Sequence, residues 1–186
     1  MNNCDYEVAI ASIISDFRYS ELGKRWDSNH VHCWIGQFIE NDRGAILAET
    51  FHILSRTYYK KDKLTEFYKR VLNCLAKENP LDTYSFICNQ EKGCSQKTML
   101  SELERLATEM YSAKLNTCVE PEEAAEICIY IDDGLYTGRR IRDDLSRFLD
   151  NAKNKRIIVF LIVSYSNNLH YCQSELEKQA SKVTAQ

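Results

Sequence analysis

Proline and glycine are scarce in this chain, at 2 and 6 of 186 residues. That scarcity excludes collagen-like and low-complexity classes and argues against long disordered linkers. An excess of one charge is also lacking. The 24 Lys and Arg stand against 27 Asp and Glu, a net charge of -3. This leaves no electrostatic case for general nucleic-acid or membrane binding, although a local basic patch is compatible with it. The longest continuous apolar run, residues 157–163, is far too short to cross a bilayer. Asp5 and Glu7 precede any apolar stretch, so no secretory signal is read at the start. None of the 8 cysteines forms a C-x-x-C pair, which weakens a zinc-ribbon reading. Cys128 lies in an apolar run, where a buried free thiol is the ordinary state. The expected compartment is reducing and cytoplasmic, with no membrane partner.

What is present is a substantial apolar fraction, 44%, enough for a real core in one medium domain or one domain with a helical appendage. Residues 1–78 read as successive helices. Val8, Ile10, Ile13, Ile14 and Phe17 keep helical spacing. Val31, Trp34, Ile35 and Phe38 do the same after Asp27, Ser28 and Asn29 as candidate caps. Residues 41–44 carry a turn signal. Two further stripes follow, Leu47, Phe51, Leu54 and Tyr58, then Leu64, Phe67, Tyr68, Val71, Leu72 and Leu75. Pro80 closes this helical region.

From 79 to 186 the pattern is α/β. Strands are expected at residues 84–88, 127–131 and 156–165, and helices where Met99, Leu100, Leu103, Leu106 and Met110, then Ile141, Leu145, Phe148 and Leu149, share faces. Residues 120–126 fit a short helix or a loop, and residues 169–183 a last helix. Alternating strands and helices imply a parallel sheet, and near-continuous apolar strands imply cover on both faces. The expected fold is a Rossmann-like parallel sheet preceded by an α-helical region. Three strands are few for such a sheet. Either weaker strands are hidden, for example at residues 117–119, or the fold is shortened.

The chemistry concentrates after the strand at 127–131. Asp132, Asp133, Gly134, Leu135, Tyr136, Thr137 and Gly138 lead into a helix. Ligands of parallel α/β sheets bind at the carboxyl ends of strands, and a helix start presents unpaired N–H groups and a positive dipole end to phosphate. Gly134 and Gly138 let the backbone turn tightly. Thr137 adds a hydroxyl. Asp132 and Asp133 can hold ribose hydroxyls or the hydration shell of Mg²⁺. The competing arrangement is a β-hairpin turning at Asp133 and Gly134. Gly138, Arg139 and Arg140 make a poor return strand, however, and the stripe that follows is helical.

Residues 127–141 resemble the signature of type I phosphoribosyltransferases, an apolar strand, two acids and a Thr-Gly-x-Thr closure. The resemblance implies that Asp132 and Asp133 face the ribose hydroxyls and that residues 135–138 wrap the 5′-phosphate. Two positions depart from the pattern. Arg140 replaces the second hydroxyl residue and removes a donor that a guanidinium can replace. Gly134 stands where the family commonly has a β-branched residue. The loop at 89–97, after the first strand, occupies the place of that family's pyrophosphate loop. Lys92, Gly93, Ser95 and Lys97 are its candidate contacts, against the alternative of an ordinary capped helix start.

His32, Cys33, Trp34, Ile35, Gly36, Gln37 and Phe38, with residues 46–49 and 93–96, resemble the phosphoribosyltransferase-like proteins of bacterial conflict systems. Those occur in anti-phage loci, including retron operons. The resemblance spans most of the chain. Its members are usually longer. His30, His32 and Cys33 look like metal ligands on paper, but residues two apart on a helix diverge. Arg139, Arg140 and Arg142 form either a solvated helix face or a phosphate-contacting one.

Three functions remain open. The first is an effector enzyme acting on a nucleotide, a pyrophosphorylated ribose or nucleic acid, with Mg²⁺ offsetting phosphate charge and no catalytic base evident. The second is a binding module for a phosphoribosyl or nucleotide ligand, and the third a scaffold subunit. The large side chains at 34, 38, 51, 58, 59, 67 and 68 are buried among the helices themselves or form a docking face, which points to a homo-oligomer or to a complex with defence-operon proteins, such as a reverse transcriptase with its nucleic acid.

Overall fold

The computed structural model describes residues 2–17, 26–90, 95–152 and 154–184. Helix α1 spans Asn3–Ile13. It opens on a capping box in which the Asn2 side chain accepts from Asp5 N at 2.9 Å and the Asp5 carboxylate accepts from Asn2 N at 3.0 Å. Helix α2, Ser28–Ile35, is capped by Asp27, which accepts from His30 N at 3.0 Å. Helix α3 covers Arg43–Thr57 after a 3-10 turn at Glu40–Asp42. The turn thus falls earlier than residues 41–44 suggest, and Gly44 lies inside α3. The Arg43 guanidinium holds that turn by donating to Phe38 O at 3.0 Å and Gly36 O at 3.1 Å. Ile10, Ala11, Val31, Ile35 and Leu47 form the core of this helical layer.

Helix α4 spans Lys61–Glu78. The chain divides into units Met1–Thr65 and Glu66–Gln186, and the division falls within α4. Asp16 secures the first unit by accepting from the Tyr58 hydroxyl at 2.8 Å and from Lys61 N at 2.7 Å. Of the seven large residues expected to form an interface, Tyr68 is buried and Trp34, Phe51, Tyr58 and Phe67 are half-buried. Phe38 and Tyr59 are exposed.

The second unit carries strands β1 (Tyr84–Ile87), β2 (Asn116–Cys118), β3 (Ile127–Leu135) and β4 (Arg156–Ser164). Between them lie α5 (Ser95–Tyr111) and α6 (Arg139–Leu149), with α7 (Ser166–Thr184) last. The sheet is all parallel, in the order β2-β1-β3-β4. β2 is the hidden strand expected near residue 117. Residues 120–126 contain a 3-10 turn, Pro121–Glu123.

Side chains alternate across the sheet. Ile87, Cys128 and Tyr130 turn to one face, where they pack with Ile141, Leu145 and Phe148 of α6 and Cys172 of α7. Ile129 and Ile131 have the opposite parity. Right-handed crossovers place α5, which returns the chain leftward to β2, on that other face. Met99, Leu100, Leu103, Leu106 and Ala107 of α5 are buried. Met110, expected inward, is 38% exposed, because the last turn of α5 has no core beneath it. β4, expected to be covered on both faces, is the edge strand, and none of its residues is buried.

Two expectations about β3 resolve differently. It forms where expected and is central, flanked by β1 and β4. It does not end at Ile131. The ladder with β4 continues, pairing Asp132 with Leu161, Gly134 with Val163 and Leu135 with Ser164. Asp132, Asp133, Gly134 and Leu135 are therefore strand residues, and cross-strand hydrogen bonding overrides the weak strand propensity of Asp and Gly. Because this pairing is parallel and a helix follows, the hairpin arrangement is excluded.

Candidate functional site

Chain progression reverses between β1 and β3. From β1 the chain steps outward to β2, and from β3 it steps the other way to β4. The carboxyl ends of β1 and β3 flank this switch point, the general ligand position of open parallel sheets.

Residues 136–138 form a bend between β3 and α6. Gly138 is the N-cap of α6 with φ 71° and ψ -2°, a left-handed conformation open to glycine. A Cβ here would lie 2.9 Å from Cys172 Cβ and 3.1 Å from its sulfur. α7 therefore packs directly behind the bend. The Asn168 side-chain amide donates to Tyr136 O, and Tyr165 N donates to Leu135 O at 2.8 Å. α6 has no side-chain cap at Gly138. Arg139 N meets Thr137 Oγ1 at 3.4 Å. The first turn of α6 thus turns the positive end of its dipole toward the bend, where it favours an anion.

Gly134 also has a structural reason. A Cβ there would sit 3.0 Å from the Tyr136 ring and 3.3 Å from Val163 Cγ2. The Tyr136 ring occupies the space a β-branched residue would fill, while remaining 72% exposed.

The two acids differ. Asp133 is exposed. Asp132 is only 5% exposed. Its Oδ1 accepts from Asp133 N at 2.9 Å, and its Oδ2 lies 3.4 Å from both Gln90 Nε2 and the Tyr130 hydroxyl. Burial pushes the Asp132 carboxyl above its ordinary pKa, against the hydrogen bond from Asp133 N.

Beneath the acids lies a polar cluster that was not anticipated. Gln90, which follows β1, is buried and donates to the Tyr130 hydroxyl at 3.0 Å and to Asp144 Oδ2 at 3.2 Å. Tyr130 donates to Asp144 Oδ2 at 2.9 Å. Burial foremost, then the charges of Asp132 and Asp144, raises the Tyr130 pKa, so its phenol stays protonated and can donate. Gln96, fully buried, accepts from Gln90 N at 3.2 Å and reaches Ile131 O at 3.5 Å. Asn89 donates to Asp144 O at 3.0 Å, and its buried Oδ1 has no partner among the described residues. One signal was legible in advance. Tyr130 and Asp132 are two apart on a strand and share a face once β3 is seen to continue.

The basic residues are partly engaged with each other's neighbours. Arg139 and Arg142 lie 3.6 and 3.9 Å from Asp143, and Arg140 lies 3.8 Å from Asp144. At 89–97, Lys92 and Gly93 lie outside the described residues. Ser95 begins α5, half-buried. Lys97 lines a separate cavity of about 230 Å³ beside Cys88, Glu104 and Thr117. A mostly apolar cavity of about 290 Å³ lies in the helical unit, walled by Ile14, Trp26 and Trp34 among others.

No group of three His, Cys, Asp or Glu able to hold a metal ion occurs among the described residues. His30 pairs with Asp27 at 2.7 Å and His32 with Glu7 at 3.1 Å. Every described cysteine is free. Among the described residues, no helix is long and apolar enough to cross a membrane.

An all-parallel sheet with a glycine-capped helix start beside an acidic strand end at the switch point defines a phosphoribosyltransferase-like α/β protein with a shortened Rossmann-like sheet. The family model described as PRTase-CE matches residues 31–185, and the chain belongs to that family. No curated protein and no solved structure matches the chain.

Proposed function

We propose that this protein binds a phosphorylated ribose, as a phosphoribosyl or nucleotide ligand, at the switch point between β1 and β3. The observation that carries the proposal is the Gly138 bend. It sets the start of α6, with the positive end of its dipole, beside the exposed carboxylate of Asp133 at the end of the central strand. Phosphate would lie against residues 134–138, with Thr137 and Arg140 as further contacts. Asp133 would take ribose hydroxyls, with Asp132 buried behind it.

One open carboxylate fits Mg²⁺ arriving with the ligand's phosphates and held through water, rather than a cage supplied by the protein. The ion would offset phosphate charge. Ser95, with Lys92 and Gly93, remains a candidate for a pyrophosphate, whereas Lys97 lines the separate cavity beside Cys88 and Thr117. Turnover would make the protein a phosphoribosyltransferase-like effector of an anti-phage, retron-type system. A binding or scaffold subunit, joined to itself or to a reverse transcriptase and its nucleic acid, is the second reading. The inward-held Asp132 and the engaged arginines favour it.

Calorimetric titration with phosphoribosyl pyrophosphate, with and without Mg²⁺, tests the site. Binding should require the ion and should vanish in Asp133→Asn, which keeps size and removes charge. Absence of binding, or equal binding by the variant, would overturn the proposal.

A further inference from the structure

The acids and the phosphate bend belong to consecutive elements, β3 and α6, and a ligand spanning them needs a fixed distance between the two. Backbone pairing fixes β3 in the sheet. It does not fix the roll or advance of a surface helix, which depends on side chains. On its apolar side α6 is seated by Ile141, Leu145 and Phe148. Next to the switch point the contact is polar, and Asp144 is its centre.

Asp144 Oδ2 accepts from Tyr130 at 2.9 Å and from Gln90 Nε2 at 3.2 Å, and Arg140 lies one turn before it at 3.8 Å. Asn89 adds a bond to the Asp144 carbonyl. Three segments therefore meet on one residue of α6: the end of β1, the middle of β3 and the first turn of the helix itself. A buried phenol on a half-buried carboxylate is costly unless well bonded, and a hydrophobic contact would seat a helix more cheaply. What the polar set supplies instead is direction, because each bond has one preferred length and angle.

We infer that Tyr130, Gln90 and Asp144 are positioning residues that lock the first turns of α6, and with them the phosphate bend and Arg140, at a fixed distance from the acidic end of β3. The inference rests on the ligand reading above and adds to it that the two halves of the site are aligned by this clamp. A ligand touching only the phosphate half should not sense the clamp. A ligand bridging sugar and phosphate should.

The test compares inorganic phosphate with ribose 5-phosphate, each titrated into the whole chain by calorimetry. Tyr130→Phe removes one hydroxyl and little else. It should weaken ribose 5-phosphate about tenfold, as expected for one lost hydrogen bond to a charged group, and leave phosphate affinity within about twofold. Gln90→Met, of similar length, serves if the phenylalanine variant does not fold, and should show the same selective loss. Equal loss for both ligands would mean general damage to the fold, and unchanged affinity for both would mean that the clamp holds nothing. Either result overturns the inference. If the unaltered chain binds ribose 5-phosphate no better than phosphate, the ligand reading itself fails and this inference fails with it.

Discussion

Gly138→Ala is the sharpest perturbation of the bend. Two costs combine. A non-glycine residue held at φ 71° pays roughly 1–2 kcal/mol for the left-handed conformation. The new methyl would also lie 2.9 Å from Cys172 Cβ and 3.1 Å from its sulfur, closer than packed atoms tolerate. Overpacking of this kind costs about 1–3 kcal/mol. Their sum, about 2–5 kcal/mol, corresponds to a melting shift of very roughly 5–15 °C for a chain of this size. Urea unfolding followed by far-ultraviolet circular dichroism measures it. The two costs can be separated. Gly138→Asn, tolerated in left-handed backbone, should still be destabilising because its Cβ meets the same atoms. Gly138→Ala in a Cys172→Ala background should recover only part of the loss, since Cys172 Cβ remains. A Gly138→Ala chain within about 0.5 kcal/mol of the original would refute the description of α7 as backing for the bend.

Asp132→Asn should show opposite behaviour at the two ends of the acid range. Burial raises the Asp132 pKa in the folded chain, so its contribution is present below the ordinary carboxylate value and is lost as pH rises through the raised one. Relative to the native chain, the variant should gain stability between acid and neutral pH. A flat difference in melting temperature across that range would contradict this. Asp16 works in reverse. Partial burial pushes its pKa up, but hydrogen bonds from Lys61 N and the Tyr58 hydroxyl outweigh it and hold the carboxyl low. Its contribution is present above the ordinary value and is lost as pH falls through the lowered one. Asp16→Asn should therefore be most costly near neutrality, and urea midpoints at pH 3 and pH 7 check the sign. Light scattering should find an oligomer, or pull-down from the native operon a partner, because Phe38, Ile39 and Tyr59 stay exposed in the helical unit. A lone monodisperse monomer contradicts that expectation.

Long periodic elements were legible in the sequence, since a stripe such as Val71, Leu72 and Leu75 has one arrangement that buries it. The short β2 was visible only as a suspicion, because Asn116 and Thr117 are exposed and carry no alternation. The end of β3 was misplaced for a related reason. Asp132, Asp133 and Gly134 look like loop until β4 supplies hydrogen bonds at their level. That shift hid part of the site. Read as loop, both acids point to a ligand, whereas in a continuing strand one turns inward and meets Tyr130. Gln90 and Asp144 were beyond reach because they lie 54 positions apart and only the fold joins them. Gly134 departs visibly from the family pattern in the sequence, yet its cause, the Tyr136 ring beside it, is set by the fold.

β4 has a consequence for how the chain behaves in a tube. Residues 157–163 are apolar without a break, and among the described residues this strand pairs on one side alone, with β3. No Lys, Pro or inward charge blunts the open side, the usual safeguards of a free edge. Self-association through residues 157–163 would proceed by backbone hydrogen bonding and loss of water from apolar groups, with Arg156 at the strand's start as its one charge for ions to screen. Concentration and urea should therefore control it, and added salt should not dissolve it.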